Sequence, residues 1–520
     1  MQSVLLPCWW RSINIDELAP FLFILGLSVI LVALLTTVST ARKRHPPLPP
    51  GPGGLPLVGH LPFMDRSIHT YFTGLARTYG PILSLRLGQK VCVVVSSPSL
   101  AKEVFKDNDL TFANHDVPAA AKAGVYGGIS MLWSPYGPEW RMLRKIAVRQ
   151  LIGAAALDST YYGVRRREVR RMMGHIYGRM GSPINMGEQM FMTMVNVMTS
   201  MLWSRTAAGE AEWDAVGAEF RRWMAEFTAL LGMPNVSDLF PCLRRFDMQG
   251  VERRMRECSR RFDKMFDDII DQRLKLKDER KEDNKDFLQA LLELTDDRAA
   301  KTALTMSHVK ALLLDMITGG TDTVATAMEY AMAEMINRPE IMENLRRETD
   351  SVVGKDNVIE ESHLHKLPYL LAAVKESLRL HPPAPLLAPH RPSKLCTVGG
   401  YTIPEGSRMF VNVWSIHRDP SIWEEPLQFM PERFVDSKCD FGGNDFTYLP
   451  FGSGRRICPG TAMAERLMML MLASLLHSFD WKTAEGQNLD FEEEPGILAR
   501  KKRPLIVIAS PRLSDPGLYL

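Results

Sequence analysis

The stretch 450-PFGSGRRICPG-460 decides how the rest of the chain reads. One cysteine, Cys458, stands among glycines and arginines, with a proline directly after it. A thiolate ligand needs deprotonation, a loop that holds it still, and donors that temper its charge. This loop can supply all three. Gly452, Gly454 and Gly460 allow close backbone approach and positive φ. Pro459 suits the first turn of a helix, expected over 461–479. Cys458 then lies at a helix N-terminus, where free N–H groups and the dipole favour an anion. Arg456 is free to pair with an acidic cofactor group. The blander reading, a buried inert cysteine, would win for a cysteine without these neighbours.

Working outward, four more stretches carry chemistry. KESLR (375–379) puts Glu376 and Arg379 one helical turn apart on one face. PERF (431–434) supplies Arg433. WRMLR (140–144) places Trp140 and Arg144 on a shared helix face, and APHRP (388–392) holds His390 beside Arg391. TGGTDT (318–323) lies in a long apolar helix. Two adjacent glycines there cost about 1 kcal/mol each relative to alanine, so they need a purpose.

Phe451, Gly454, Arg456, Cys458 and Gly460 match F-x-x-G-x-R-x-C-x-G. On that match the chain resembles the cytochrome P-450 superfamily, and the other motifs follow in order over essentially its whole length. The resemblance implies that Cys458 is the proximal thiolate ligand of the iron of haem b, iron protoporphyrin IX. It implies a buried ion network of Glu376, Arg379 and Arg433 beneath the cysteine loop; alone, such an ExxR would be an ordinary surface pair. Trp140, Arg144, Arg456 and His390 are implied partners of the haem propionates, with Arg391 an alternative to His390. The helix is expected to open at Gly319-Gly320 over the haem. Asp322 and Thr323 match the acid–threonine pair that delivers protons during O₂ activation. Val324 replaces the second hydroxyl often found there, which leaves Thr323 as the only hydroxyl at the pair.

The implied reaction inserts one oxygen atom from O₂ into an apolar small molecule, with electrons from NADPH-cytochrome reductase. Two other classes stay open. One is a haem-thiolate lyase or isomerase that uses no O₂; the Asp322–Thr323 pair argues against it. The other is a non-catalytic membrane haem carrier or sensor; an apolar cavity argues against that. FVNVWSIHRDP (410–420), WSPYGPEWRMLRK (133–145) and PERF resemble plant endoplasmic-reticulum enzymes, closest to terpenoid hydroxylases, with flavonoid or phenylpropanoid hydroxylases next. The expected pocket segments are 115–133, 312–323, 384–389 and 497–498. Their apolar composition suits a hydrocarbon-like substrate, such as a sesquiterpene, better than a polyphenol.

The rest of the chain sets the context. It has 520 residues and a net charge of +3, which gives no reason to expect nucleic acid. Seven scattered cysteines with no CxxC pair point to a reduced compartment. Residues 18–41 carry no charge, and 24 residues make about 36 Å of helix, enough to span a bilayer. ARKRH follows at 41–45, so residues 1–17 are expected in the lumen and the body in the cytosol, on the endoplasmic reticulum. The basic and proline-rich stretch 42–59 reads as a stiff hinge. Residues 60–520 then form a single haem-binding domain, mainly α with small peripheral β-sheets. Hairpins are expected over 82–97 and 401–414, a strand at LIVIAS, and a solvated charge run over 277–286. Asn235-Val236-Ser237 is a glycosylation sequon without meaning in a cytosolic domain.

Overall fold

The structure is a computed structural model that describes residues 46–204, 210–275, 286–296, 303–484, 489–494 and 496–520. The expected anchor and lumenal residues lie outside the described residues, as do 42–45 and 277–285. Among the described residues no helix is long and apolar enough to cross a membrane.

Six helices position the site: α1 (Pro138–Ala147), α2 (Met186–Trp203), α3 (Val251–Lys275), α4 (Met306–Ile336), α5 (Pro368–Leu380) and α6 (Thr461–Ser478). Apolar residues surround α4 on nearly every side, and a helix of that pattern must be buried. It runs through the core against α2, α5 and α6. A capping box starts it: His308 N–H donates to Thr305 Oγ1 at 3.4 Å, and Thr305 N–H donates to His308 Nδ1 at 3.0 Å. Buried methionines fill the core, among them Met194 and Met198 of α2, Met328 and Met332 of α4, and Met468 and Met471 of α6. Their flexible thioethers fit irregular gaps between crossing helices. Pro138 opens α1 at its first turn, where its missing N–H costs nothing. Beyond Ala147 the winding loosens into a π turn over Val148–Ile152.

Five strands form the main sheet: β1 (Ile82–Leu87), β2 (Lys90–Val95), β3 (Asn114–His115), β4 (His390–Arg391) and β5 (Arg408–Val411), in the order β1-β2-β5-β4-β3. β1 and β2 form the expected hairpin, with Leu87 opposite Lys90 across Gly88-Gln89. The expected hairpin over 401–414 does not form. Pro404 interrupts it, and the two halves find other partners: Tyr401–Ile403 pairs with Cys396–Val398, and β5 pairs parallel with β2. LIVIAS is a strand as expected, running Ile506–Pro511 between Pro183–Asn185 and Phe479–Thr483.

The described part of the proline-rich stretch is seated on β1 and on the Tyr401–Ile403 strand instead of bridging open space. Its carbonyls act as acceptors, since prolines cannot donate. Thr402 N–H donates to Pro47 O at 2.9 Å and Ser84 N–H to Pro50 O at 2.8 Å. Asp286, the last residue of the expected solvated run, is buried. It pairs with Arg273 at 2.6 Å and caps the following helix at Gln289 N–H. Asn235 of the sequon is also buried, its Oδ1 accepting from Ser237 N–H.

Candidate active site

Cys458 is fixed on both sides. Its N–H donates to Phe451 O at 2.9 Å, and Thr461 Oγ1 donates to its carbonyl at 2.9 Å. Phe451 stacks edge-on against Phe441, which anchors that acceptor. Gly454 has φ of 67°, and a Cβ there would meet Phe105 O at 2.6 Å, so conformation and space both demand glycine. Gly460 departs from expectation. Its φ is −87°, open to any residue, and its contribution is an N–H aimed at the sulfur. Pro459 precedes the helix cap, Gly460, instead of lying in the first turn.

Burial pushes the Cys458 thiol up. The Gly460 N–H, Arg144 and the Thr461 hydroxyl pull it down without overcoming burial. A coordinated metal cation would add to these pulls, because a coordinating thiol loses its proton outright. Cys458 is accessible, although protein surrounds it closely enough to desolvate the sulfur.

α4 shows a matching open stripe. Asp315, Gly319 and Thr323, at i, i+4 and i+8, are not fully buried, although the helix is buried nearly everywhere else. The expected opening of the helix does not occur; α4 is continuous through Gly319-Gly320. The two glycines answer two separate needs. A Cβ at Gly319 would meet nothing within 4 Å, so its absence widens the cavity. A Cβ at Gly320 would meet Met198 Sδ at 2.9 Å, so its absence lets α2 approach. Thr323 Oγ1 donates to Gly319 O at 2.7 Å. Asp322 turns away from it and binds Arg500, whose Nε donates to Oδ1 at 3.1 Å and whose Nη2 reaches Oδ2. The structure thus places Asp322 and Thr323 side by side in sequence but with separate partners.

Glu376, Arg379 and Arg433 come together fully or nearly buried. Arg379 forks onto Glu376 at 2.7 and 2.8 Å, and Arg433 Nε reaches Glu376 Oε1 at 3.1 Å. The remaining Arg379 hydrogens bind the carbonyls of His417, Pro426 and Gln428. His417 carries this network to the cysteine loop, because its Nε2 accepts from Leu449 N–H at 2.8 Å. Burial, then Arg379 and Arg418, hold His417 down at about 3, so the ring is neutral and the acceptor is always available. Sequence reasoning quoted His417 within a longer motif and missed this link.

The cationic groups gather beside the loop. Arg144 Nη2 donates to Ile457 O at 2.8 Å. Arg456 lies over the Trp140 ring at 4.4 Å and donates to the carbonyls of Ala113, Met131 and Ser134. Trp140 Nε1 donates to Met131 O at 2.8 Å. Neither arginine has a carboxylate partner among the described residues, and burial, with Arg144 adding, pulls Arg456 down to about 10. His390 is buried on β4 with Nδ1 against Phe112 O at 2.7 Å, while Arg391, alternating along the strand, is exposed. Its ring meets His115 edge-on at 4.7 Å. His115 binds Leu132 O through Nδ1, and Nε2 of each histidine has no protein partner among the described residues. His115 was not singled out from the sequence, where a lone loop histidine carries no signal.

Two half-buried arginines without acids, two imidazoles with a free nitrogen, and an accessible thiol fit a dianionic metalloporphyrin. Residues 49–508 match the family model described as cytochrome P450. The chain belongs to the cytochrome P450 family. Carnosic acid synthase from Rosmarinus officinalis is 40% identical over 466 residues, covering 88% of this P450 and 92% of that protein. Flavonoid 3'-monooxygenase from Arabidopsis thaliana is 39% identical over 510 residues, covering 96% and 98%. A solved zebra fish cytochrome P450 with abiraterone superposes with a TM-score of 0.73 at 23% identity, covering 86% of this chain and 100% of that one. The fold is therefore the P450 fold, mainly helical with small sheets. This P450 binds haem b through a cysteine thiolate and is an oxidoreductase, a monooxygenase using O₂, a redox-partner reductase and a small-molecule substrate.

Proposed function

We propose that Cys458 ligates the haem iron and that the enzyme hydroxylates an apolar terpenoid of the sesquiterpene class, with electrons from NADPH-cytochrome reductase. The observation that carries the substrate reading is on α4. The polar groups of its open face are already engaged: Thr318 with Leu314 O, Thr323 with Gly319 O, and Asp315 with Ser130 and Met131. The hydroxyl donors on this face rest on backbone carbonyls, so α4 offers the oxygens of a polyphenol no uncommitted donor, which disfavours it. The names of the relatives divide between carnosic acid and flavonoids.

Haem, when bound, supplies the oxygen-activating and oxygen-inserting chemistry. The chain's residues do the rest. Cys458 donates electron density through its thiolate. Arg144, Arg456, Trp140 and His390 hold the propionates, and Phe451 and Gly460 shape the sulfur's surroundings. Thr323 Oγ1 carries a proton into the cavity when it leaves Gly319 O, and Asp322, on leaving Arg500 and taking a proton from solvent water, passes that proton to the hydroxyl. Glu376, Arg379 and Arg433 keep the cysteine loop in place. Residues 18–41 anchor the enzyme once through the endoplasmic-reticulum membrane and lipid, with residues 60–520 in the cytosol.

Microsomes containing the enzyme and a reductase, fed separate sesquiterpene and flavonoid panels and read by mass spectrometry, test the substrate class. Turnover confined to flavonoids overturns it. Cys458→Ala is expected to abolish the reduced-CO band of thiolate-ligated haem; a variant that keeps the band would assign the ligand elsewhere.

A further inference from the structure

Asp315 belongs to no motif read from the sequence, yet it lies on the open stripe one turn before Gly319. Its carboxylate reaches across to the segment 130–134. Ser130 Oγ donates to Oδ1 at 2.7 Å, and Met131 N–H donates to Oδ2 at 2.5 Å. The same segment is folded tightly on itself. Leu132 N–H donates to Ser130 Oγ at 3.0 Å, and Ser130 N–H to Ser134 Oγ at 3.0 Å. A carboxylate at one end of such a turn therefore fixes all of it.

What this segment does with its carbonyls gives the carboxylate its reach. Met131 O accepts from Trp140 Nε1 at 2.8 Å and from Arg456 Nη1 at 3.2 Å. Leu132 O takes His115 Nδ1 at 2.8 Å, and Ser134 O takes Arg456 Nη2 at 2.6 Å. Trp140, Arg456 and His115 come from three separate elements. Their acceptors are three carbonyls within the four residues 131–134, and that stretch hangs from α4 through Asp315.

We propose that Asp315 is a positioning residue that couples the substrate-side helix α4 to the haem-propionate cradle. This rests on the reading above that Trp140, Arg456 and the histidines beside them face the propionates. A carboxylate suits the task because it offers two acceptors to two donors. Asparagine keeps the shape but offers one acceptor and presents an N–H₂ to a buried donor, which loosens the turn. Asp315 touches neither cofactor chemistry nor the reacting atoms; it acts through backbone carbonyls.

Two readouts test the coupling in the haem-loaded, full-length enzyme. One is the rate of haem transfer to excess apomyoglobin. The other is the propionate bending band in resonance Raman spectra, which reports hydrogen bonding at the propionates and does not move with general destabilisation. Asp315→Asn is expected to raise the transfer rate about tenfold, the effect of stranding one buried donor, and to shift the bending band while the thiolate CO band persists. Ser130→Ala should shift the band in the same direction by less, and the double variant should add little to Asp315→Asn, because both act through one turn. Arg456→Lys serves as the control on the cradle itself. If Arg456→Lys moves the band and neither Asp315→Asn nor Ser130→Ala does, the coupling is overturned and the cradle stands. If none of the three moves it, the cradle reading falls and the coupling with it. Should Asp315→Asn fail to fold, Ser130→Ala alone decides.

Discussion

Asp315 shows how much one carboxyl can set. Burial pushes it up to about 7, against the pull of Ser130 Oγ and Met131 N–H. Its unfolded value lies near 3.8, so the folded protein binds more protons than the unfolded chain across that interval. The stability it contributes is fully present below the unfolded value and is lost as pH rises through about 7. Asp315→Asn removes this dependence. Between pH 5.5 and 8.5, the wild-type thermal midpoint should fall relative to the variant's by at least about 2 °C. A constant difference across that range would show that the carboxyl does not titrate there. The residue illustrates what was legible. The thiol loop, the ExxR pair and Trp140 could be read because each motif is local. Asp315, His115 and His417 could not, because each acts through a partner far off in sequence. Periodicity tells which residues share a face, never what lies opposite.

Among the elements, α4 was read as a helix from its apolar pattern, and the structure agrees from Met306 to Ile336. Its opening was misread. The glycines act by omitting Cβ atoms, one toward the cavity and one toward Met198, and not by breaking the helix. The hydroxyl of Thr323 therefore has a resting partner, Gly319 O, that it would have to leave on the proposed proton route. Thr323→Ala deletes that hydroxyl together with one methyl group and leaves the rest of the cavity wall in place. Haem content and substrate binding should persist, while product formed per NADPH falls several-fold and peroxide rises in its place. An unchanged ratio would remove Thr323 from the proton route. The failed hairpin at 401–414 has the same origin as the unread side chains. β5 chose β2, where Val93 and Val95 lie opposite Met409 and Val411, and no local pattern announces a parallel partner on the other side of the chain.

For the whole molecule, the question is which face meets the outside. Deleting residues 1–41 is expected to release much of the protein from membranes with its haem spectrum intact, since the described fold from residue 46 onward forms its own core. Loss of the spectrum would make that segment part of the fold. The electron-donor face is expected on α1. Arg144 reaches Ile457 O beside Cys458, so this helix borders the surface nearest the thiolate. Arg141 and Lys145 lie one turn apart on α1, about 100° around from the Trp140 and Arg144 face. Arg149 continues them in the π turn, which shifts it from the straight stripe that a regular helix would give. All three are exposed, and no ion pair holds them among the described residues. A flavoprotein reductase presents acidic surface, so unneutralised positive charge here should speed encounter and respond to salt. Changing Arg141, Lys145 and Arg149 to glutamine singly and together should lower the rate of first-electron transfer stepwise and flatten its dependence on ionic strength, with haem content unchanged. A triple variant with the wild-type rate and salt slope would place the reductase on another face.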